Sequence, residues 1–240
     1  MDDNQYTHIA EIYSHLMSSI DYSEWADYIY DIGLDFVEGD KKVLELGSGT
    51  CELSVEVLKY FNNTVASDIS KQMLDNAMLK RLSRVCCDMT LLPFKKKFNY
   101  VFCAFDSVNY LLESEQIIKM YDQVASVLTD DGIFTFDVSL ENNSFNNTKF
   151  LNREGDYKGI KYKQVSIYNE ETRIHENHFE IVLRDGKKVE ELHKQRIYPF
   201  FSFFELAEYS DLYVLDCFDS FSFEHASEES ERAQFVMRKR

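Results

Sequence analysis

The spacing of apolar residues changes along the chain and predicts different kinds of structure in succession. Residues 6–37 carry aromatic and aliphatic side chains at helical spacing, which predicts two amphipathic helices broken near residues 18–23. From residue 41 onward, short apolar runs alternate with helical segments at the spacing of βαβ units. The predicted strands are 43–46, 64–68, 82–87, 100–105 and 133–138, and the predicted helices are 52–60, 71–79 and 114–128.

The stretch after residue 138 has a different period. Residues 141–156 are polar and rich in Asn, and the residues that follow alternate between apolar and polar at every second position. We expect three antiparallel strands at 159–168, 173–183 and 188–198, with a hairpin at Asp185-Gly186. The Ser-x-x-Glu spacing of Ser202 and Glu205 predicts a capped helix to residue 209, before strands at 213–221 and 233–238.

These patterns predict an α/β fold with a doubly wound, mostly parallel sheet and helices on both faces. We divide the chain into an N-terminal helical part, 1–40, a core formed by 41–140 and 200–240, and an antiparallel β insertion, 141–199. At 240 residues the chain is long enough for one domain with a sizeable insertion.

The charge balance narrows the choice of partners. The chain has 26 Lys and Arg against 42 Asp and Glu, a formal net charge of −16, with no basic stripe. Such a chain repels phosphate backbones, so we expect a small-molecule partner, with no nucleic acid and no membrane. No signal peptide or membrane span is predicted, which favours a cytoplasmic location. We expect the protein to be a monomer or a homodimer. The five cysteines include no paired Cys-x-x-Cys spacing, and no metal site is predicted.

The strongest local signal is a strand that leads into a Gly-x-Gly turn and a helix. Gly47 and Gly49 permit a tight turn and a close approach of backbone to a ligand. Asp68 ends the next strand, where an acid can accept the hydroxyl hydrogens of a ribose. This combination predicts a nucleoside ligand.

Two acidic residues around the turn distinguish between nucleoside cofactors. Glu52 stands where a dinucleotide site has its third glycine, and its charge opposes a pyrophosphate at the helix N-terminus. Glu45, just before the turn, adds a second carboxylate and favours a cationic ligand. The residues therefore favour S-adenosylmethionine over NAD.

Several segments, in order, resemble the class I S-adenosylmethionine-dependent methyltransferases. The likeness covers about residues 40–140 and includes the glycine turn, 87–94 after the third strand, 100–111 around the fourth, and 128–138 leading into the fifth. It implies a Rossmann-like seven-stranded sheet, S-adenosyl-L-methionine as methyl donor and S-adenosyl-L-homocysteine as product. Cys51 departs from the glycine that many relatives have there, and Asp211-Leu212 replaces a frequent Gly-Phe pair.

Within that family, the aromatic N-terminal helices and the insertion resemble the small-molecule N-methyltransferases of the glycine and aminosugar type. There the two parts form a lid over donor and substrate. Asp106 is open to three interpretations: contact with the donor, help to a substrate amine, or a helix cap. His178, His193 and Arg196 lie on the inserted strands, where one of them can bind substrate or act as base. The predicted cofactor-binding residues are Tyr13, Trp25, Glu45, Gly47, Ser48, Gly49, Asp68, Ile69, Met73, Cys87, Asp88, Met89, Phe105 and Asp106, and the predicted catalytic residues are Asn109, Tyr110, Tyr13 and His178.

The resulting hypothesis is methyl transfer to an amine or hydroxyl of a small molecule by in-line displacement. This reaction depends on positioning and on exclusion of water, with a base needed only if the nucleophile arrives protonated. Two alternatives keep the same fold: a catalytically silent module that binds the donor, and an NAD-linked oxidoreductase, which Glu52 disfavours.

Overall fold

The computed structural model describes residues 6–36, 41–77, 81–95 and 97–240. Its helices and strands follow the predicted alternation closely. The ends of two predicted helices, at Val37 and Leu79, lie outside the described residues. The elements in chain order are α1 (Tyr13–Leu16), α2 (Tyr22–Phe36), β1 (Lys42–Leu46), α3 (Glu52–Val57), β2 (Asn63–Asp68), α4 (Lys71–Asp75), β3 (Ser83–Cys86), β4 (Phe98–Cys103), α5 (Ser114–Val127), β5 (Leu128–Ser139), α6 (Glu141–Asn147), β6 (Arg153–Tyr157), β7 (Ile160–Asn169), β8 (Ile174–Val182), β9 (Lys188–Arg196), α7 (Ser202–Ala207), β10 (Leu212–Asp219) and β11 (Arg232–Lys239), with short 3₁₀ helices at Ile9–Glu11, Ser107–Tyr110 and Thr148–Leu151.

A seven-stranded sheet in the order β10-β11-β5-β4-β1-β2-β3 forms the core. The five strands from β5 to β3 run parallel, and β11 is antiparallel to both of its neighbours. The chain builds outward from β1 in one direction and then from β4 in the other. The turn after β1 therefore lies at the switch point, where open α/β sheets bind ligands.

The two faces of this sheet are covered by different helices because neighbouring strand residues point to opposite sides. On β1, Val43 packs with α2 and α3, whereas Leu44 packs with α5 and α7. Helices cover both faces of the central strands in this way, which confirms the predicted doubly wound sheet. The apolar runs of the parallel strands follow from this two-sided burial.

The insertion forms a second, four-stranded antiparallel sheet in the order β6-β7-β8-β9, which we call the inserted sheet. Its fourth strand, β6, begins in the polar stretch 141–156, where no strand was predicted. The short strand was missed because it is an edge strand, and its pairing to β7 provides the stability that its own sequence lacks.

Another prediction was wrong in detail. Ser202 is the first residue of α7 and Phe201 precedes it as the N-cap, with no capping hydrogen bond from a side chain. The Ser-x-x-Glu spacing is therefore one residue out of register for a capping box. The helix is held instead by burial of Phe203 and Ala207 against the core.

The N-terminal part divides between the two sheets. The turns around Ile9, Ile12 and Leu16 pack on the apolar end of the inserted sheet, at Ile160 and Phe179. The longer helix α2 instead packs on the seven-stranded sheet. Residues 6–17 thus span the gap between the sheets and form the wall of a cavity.

Candidate functional site

The turn after β1 exposes backbone to this cavity. Gly47 and Gly49 have φ values of +67° and +54°, which disfavour residues with a side chain. A Cβ on Gly47 would lie 2.9 Å from Cβ and Oγ of Ser107. Cys51 also has a left-handed φ, +65°, so it adopts the conformation of the glycine that it replaces. The turn therefore keeps its geometry despite that departure.

Asp68 holds the turn in place from the end of β2. Its carboxylate accepts the amide hydrogens of Gly49 at 2.8 Å and Ser70 at 2.7 Å. Burial raises the pKa of Asp68, and the two amide donors oppose that rise. Asp88, after β3, accepts the Thr90 amide at 2.8 Å through one oxygen. Both acids line the cavity.

The remaining predicted cofactor contacts surround these acids. Trp25 and Phe105 pack with their ring centroids 4.3 Å apart, and the Tyr13 ring lies 3.7 Å from where a Cβ on Gly49 would stand. We call the wall formed at the ends of β1 to β4 the carboxyl edge. The predicted cofactor residues that line the cavity are Tyr13, Trp25, Gly47, Gly49, Asp68, Ile69, Met73, Cys87, Asp88, Met89, Phe105 and Asp106.

Two predicted cofactor residues lie behind that wall. Glu45 is 2% exposed and accepts a hydrogen bond from the Ser54 hydroxyl, so it supports the turn from below. Burial raises the pKa of Glu45 to about 8, which removes the fixed negative charge that the sequence suggested for it. Ser48 is buried too, and its amide donates to the Ser67 carbonyl at 2.9 Å. The expectation that both side chains meet the ligand is corrected accordingly.

Two predicted catalytic residues are also outside the cavity lining. The Asn109 amide donates to the carbonyls of Ser139 and Arg196 and accepts the Ser139 amide, so it joins the inserted sheet to the core. His178 lies on the outer face of β8, where its ring is 3.0 Å from Glu176. Strand alternation turns His178 away from the cavity, and neither residue is retained as a catalytic candidate.

Tyrosines cluster between the carboxyl edge and the inserted sheet. Tyr6 donates its hydroxyl hydrogen to Tyr110 at 2.6 Å, and the rings of Tyr6 and Tyr13 meet edge to face at 5.8 Å. Burial raises the pKa of each of these phenols above its ordinary value. They are therefore neutral hydrogen-bonding groups in this site. Tyr110 and Tyr13 are the predicted catalytic residues that the structure does place in the cavity.

Arg232, at the start of β11, was missed by sequence reasoning. Its guanidinium pairs with Asp106 at 2.6 Å and also with Asp137, which is completely buried. Gln195 of the inserted sheet donates to the same Asp106 carboxylate. Asp106 therefore binds side chains of both β11 and the inserted sheet. Its side chain makes no helix-capping hydrogen bond, which was one of the three interpretations considered for it. Arg232 left no local signal because its partners are 95 and 126 residues away.

The inner face of the inserted sheet is polar where it meets the cavity. Gln164 donates to Asn177 at 2.9 Å, and both nitrogens of His175 are hydrogen-bonded, to Ser144 and Ser166. The alternation of buried and exposed positions could have revealed these polar residues in the sequence. On β7, Gln164 and Ser166 lie at the same alternate positions as the apolar Ile160 and therefore share its buried face. The buried polar residues of this inner face are Gln164, Ser166, His175, Asn177, Glu191, His193 and Gln195.

The carboxyl edge and the inner face enclose one cavity of about 740 Å³. A sequence pattern described as a methyltransferase domain matches residues 43–132, which covers the glycine turn and both acids. A protein of Geobacillus sp. (strain WCH70), named as a methyltransferase, is 27% identical over 98% of this chain and 99% of its own. An S-adenosylmethionine-dependent methyltransferase from Clostridium acetobutylicum superposes with a TM-score of 0.79 at 25% identity, covering 98% and 99% of the two chains.

The chain carries a methyltransferase domain at residues 43–132, and its relatives support a class I S-adenosylmethionine-dependent methyltransferase. A further structure, the S-adenosylmethionine-bound amino pentose methyltransferase CalS10 of Micromonospora echinaspora, has a TM-score of 0.71 at 14% identity and covers both chains completely. The predictions of a methyltransferase and of S-adenosylmethionine as its cofactor are confirmed. The silent-module and oxidoreductase alternatives are not favoured by any of these relatives.

The residues present in the methyltransferase fit this donor. The open backbone at Gly47, the buried carboxylate of Asp68 and the aromatic wall at Trp25 and Phe105 form a cradle with polar and apolar sides. Among the described helices, none has the length and apolar character needed to cross a membrane. Which side chain meets which part of the donor stays a prediction.

Proposed function

We propose that this methyltransferase transfers a methyl group to an amine or hydroxyl of a small, polar, hydroxyl-bearing molecule. The observation that carries the proposal is a cavity with two unlike walls, the carboxyl edge and the polar inner face. The donor lies against the carboxyl edge, and the acceptor lies against the inner face. The donor supplies an electrophilic methyl group on a sulfonium, and the protein supplies position and shelter from water.

On the donor side, the two acids have hydrogen-bonding capacity that the protein does not use, and backbone and rings provide the remaining contacts. Asp68 receives the ribose hydroxyls, because a carboxylate has more lone pairs than its two amide donors use. Asp88 keeps one oxygen for the adenine amine. The backbone at Gly47 and Gly49 approaches the methionine part, and Trp25 and Phe105 pack beside the sulfonium.

On the acceptor side, the inner face selects for polarity without strong charge. The side-chain amides of Gln164, Asn177 and Gln195 are buried, and a buried polar group is stable only when hydrogen-bonded. Each of these amides already has at least one partner in the protein, and an apolar acceptor would leave its remaining hydrogen-bonding capacity unpaired, whereas a hydroxylated amine satisfies it. The similarity to the amino pentose methyltransferase CalS10 supports an aminosugar-like acceptor.

The wall formed by residues 6–17 supports the proposed role of the N-terminal part and the insertion as a lid. Ser14 donates to Glu52 at the start of α3, and Arg153 of β6 donates to the Leu16 carbonyl at 2.6 Å. These contacts tie the wall to α3 on one side of the cavity and to the inserted sheet on the other. A cavity of this size and a net charge of −16 favour a small acceptor over a nucleic acid.

The test is a methyl-transfer assay with a defined panel of acceptors. Glucosamine, ethanolamine, glycine and hexylamine are incubated with the donor, and S-adenosylhomocysteine and methylated product are quantified by mass spectrometry. We expect turnover of glucosamine to exceed that of hexylamine by at least about 100-fold, since two unpaired buried groups cost about 3 kcal/mol. Equal turnover of both amines, or none with any acceptor, contradicts the proposal.

A pair of variants on one strand sharpens this result. Asn177→Leu removes a polar group from the inner face, and Glu180→Gln changes the outer face of the same strand β8. We expect Asn177→Leu to raise KM for glucosamine about tenfold and Glu180→Gln to leave it unchanged. The same KM change in both variants would show that the inner face does not bind the acceptor.

A further inference from the structure

A buried His-Glu pair lies on the inner face of the inserted sheet. His193 is 2% exposed, and its Nε2 lies 3.1 Å from Oε2 of Glu191, two residues earlier on β9. Both side chains point inward, and His193 lines the cavity. Within the described residues, no hydrogen-bond partner is found for Nδ1 of His193.

The other candidate proton acceptors of the cavity are assigned to the donor, as Asp68 and Asp88 are, or are engaged within the protein. The carboxylates of Asp68 and Asp106 are hydrogen-bonded within the protein, Asp106 to a guanidinium. His175 has both ring nitrogens occupied, and burial lowers its pKa. Burial raises the pKa of the Cys87 thiol to about 11, which removes it as a base near neutral pH. His193 is the ring that keeps a nitrogen open to the cavity.

The surroundings of His193 place that nitrogen near the tyrosine cluster. The Tyr6 ring meets the imidazole edge to face at 4.4 Å, and the Tyr110 ring lies 6.4 Å away. From β8 the ring of Phe179 packs at 5.2 Å. The titratable groups facing His193 are thus Glu191 on its own strand, Tyr6 from the N-terminal segment and Tyr110 from the turn after β4.

Glu191 is unusually well fixed for a glutamate on a sheet. Its carboxylate accepts the backbone amides of Tyr6 at 3.0 Å, of His8, and of Ile9 at 3.1 Å. Burial acts to raise the pKa of Glu191, but His193 and the amides of His8 and Ile9 outweigh it and leave the pKa below its ordinary value. The carboxylate is therefore ionised and able to stabilise a positive imidazolium beside it.

We propose that His193, oriented by Glu191, is the general base that takes a proton from the acceptor before methyl transfer. This rests on the proposed function, because an aliphatic amine is protonated near neutral pH and has no free electron pair until a proton leaves. One proton passes from the acceptor ammonium to Nδ1 of His193. The freed electron pair forms the nitrogen–carbon bond while the carbon–sulfur bond breaks, with its electrons remaining on sulfur.

Glu191 is a positioning residue in this scheme and has a second effect. Because the same carboxylate binds residues 6–9, the base is oriented only when the N-terminal segment covers the cavity. Proton removal is thereby confined to the closed, water-excluding arrangement. The imidazolium returns its proton to solvent after the product leaves.

The first test needs no acceptor. The imidazole ¹⁵N shifts of histidine-labelled protein are recorded at pH 8.5, and the His193 signals are assigned by their loss in His193→Gln. We expect His193 in the Nε2–H tautomer, which donates to Glu191 and leaves Nδ1 free. The Nδ1–H tautomer would overturn the proposal.

The second test measures methyl transfer to the best amine of the panel as a function of pH. We expect His193→Gln to lower kcat about 100-fold at pH 7, with the deficit shrinking about tenfold per pH unit as free amine accumulates. Glu191→Gln should lower kcat and leave KM for the amine unchanged, because the ring loses the carboxylate that orients it. His178→Gln, which alters an exposed His-Glu pair on β8, should match the wild type.

The outcomes separate the two proposals. S-adenosylhomocysteine affinity and Tm, measured for every variant, show that the donor site and the fold are intact. A wild-type protein that binds this product but methylates no acceptor of the panel, at nitrogen or at oxygen, refutes the proposed function. An active wild type with a fully active His193→Gln refutes only the role of His193.

Discussion

The carboxyl edge and the inner face of the inserted sheet meet across one cavity, but they differ in how they are built. The carboxyl edge is made of backbone and of side chains that follow strand ends within about sixty residues of sequence, from Gly47 to Asp106. The inner face gains its function from residues such as Glu191 and Arg153, whose partners lie at the N-terminal segment. Local turns at strand ends are enough to form the carboxyl edge. The inner face forms only when the inserted sheet packs against the N-terminal segment.

This difference predicts distinct responses to mutation. Damage to the carboxyl edge should abolish donor binding with the fold intact. Arg232, Asp106 and Asp137 connect the two walls, and we call this cluster the joint. Damage at the joint should lower the stability of the whole molecule. The following variants test that distinction, from the largest expected effect to the smallest.

Arg232→Met removes the cation at the joint. It leaves Asp137 buried without its charge partner and Asp106 without its guanidinium, so we expect a loss of about 3 kcal/mol in the free energy of unfolding. Urea denaturation measures this loss. Arg184→Met, which breaks an exposed pair with Glu11, is the control and should change stability little. Equal effects of the two variants would contradict the role given to the joint.

Gly47→Val targets the carboxyl edge alone. The added Cβ would clash with Ser107 in a left-handed backbone, so we expect at least about a 100-fold loss of S-adenosylhomocysteine affinity by calorimetry. Gly186→Ala is the matched control, since Gly186 also has a positive φ, +85°, but has no neighbour within 4 Å of a new Cβ. Retained affinity in Gly47→Val would mean that the donor does not approach this turn.

Glu45→Gln tests the buried acid beneath the turn. The folded-state pKa of Glu45, about 8, lies above its unfolded value near 4.3, so folding takes up a proton between these pH values. Stability from this group is present at low pH and falls as pH rises, by about 1.4 kcal/mol per pH unit in that window. We expect Glu45→Gln to flatten the decline of Tm between about pH 5 and pH 8. An unchanged slope would show that Glu45 is ionised.

Tyr6→Phe should give the smallest effect. It removes the hydrogen bond to Tyr110 that links the N-terminal wall to the turn after β4, with a cost of about 1 kcal/mol. Because Glu191 still holds the backbone of Tyr6, the wall stays in place. We expect proteolytic cleavage within the N-terminal segment to accelerate about fivefold at most, as followed by mass spectrometry. Complete release of the segment would indicate that the tyrosine pair is its main anchor.

The sequence predicted the core strands to within a few residues because their signals are local. Apolar runs and glycine positions reflect the geometry of neighbouring residues, so β1, β2 and the turn between β1 and α3 were found directly. The edge strand β6 was missed because pairing with β7 is what makes it a strand. His178 was chosen over His193 although both carry a Glu two residues earlier, and only the direction of alternation separates them.

The sequence by itself determined the doubly wound core, the insertion and the nucleoside-binding turn, because each depends on periodicity or backbone freedom within a short segment. Only the tertiary structure decided which charges remain and which side chains meet. Burial raises the pKa of Glu45. Arg232 pairs with Asp106, 126 residues away in the sequence, and Glu191 joins β9 to the N-terminal wall. These outcomes depend on desolvation and on contacts between distant segments, which no local pattern encodes.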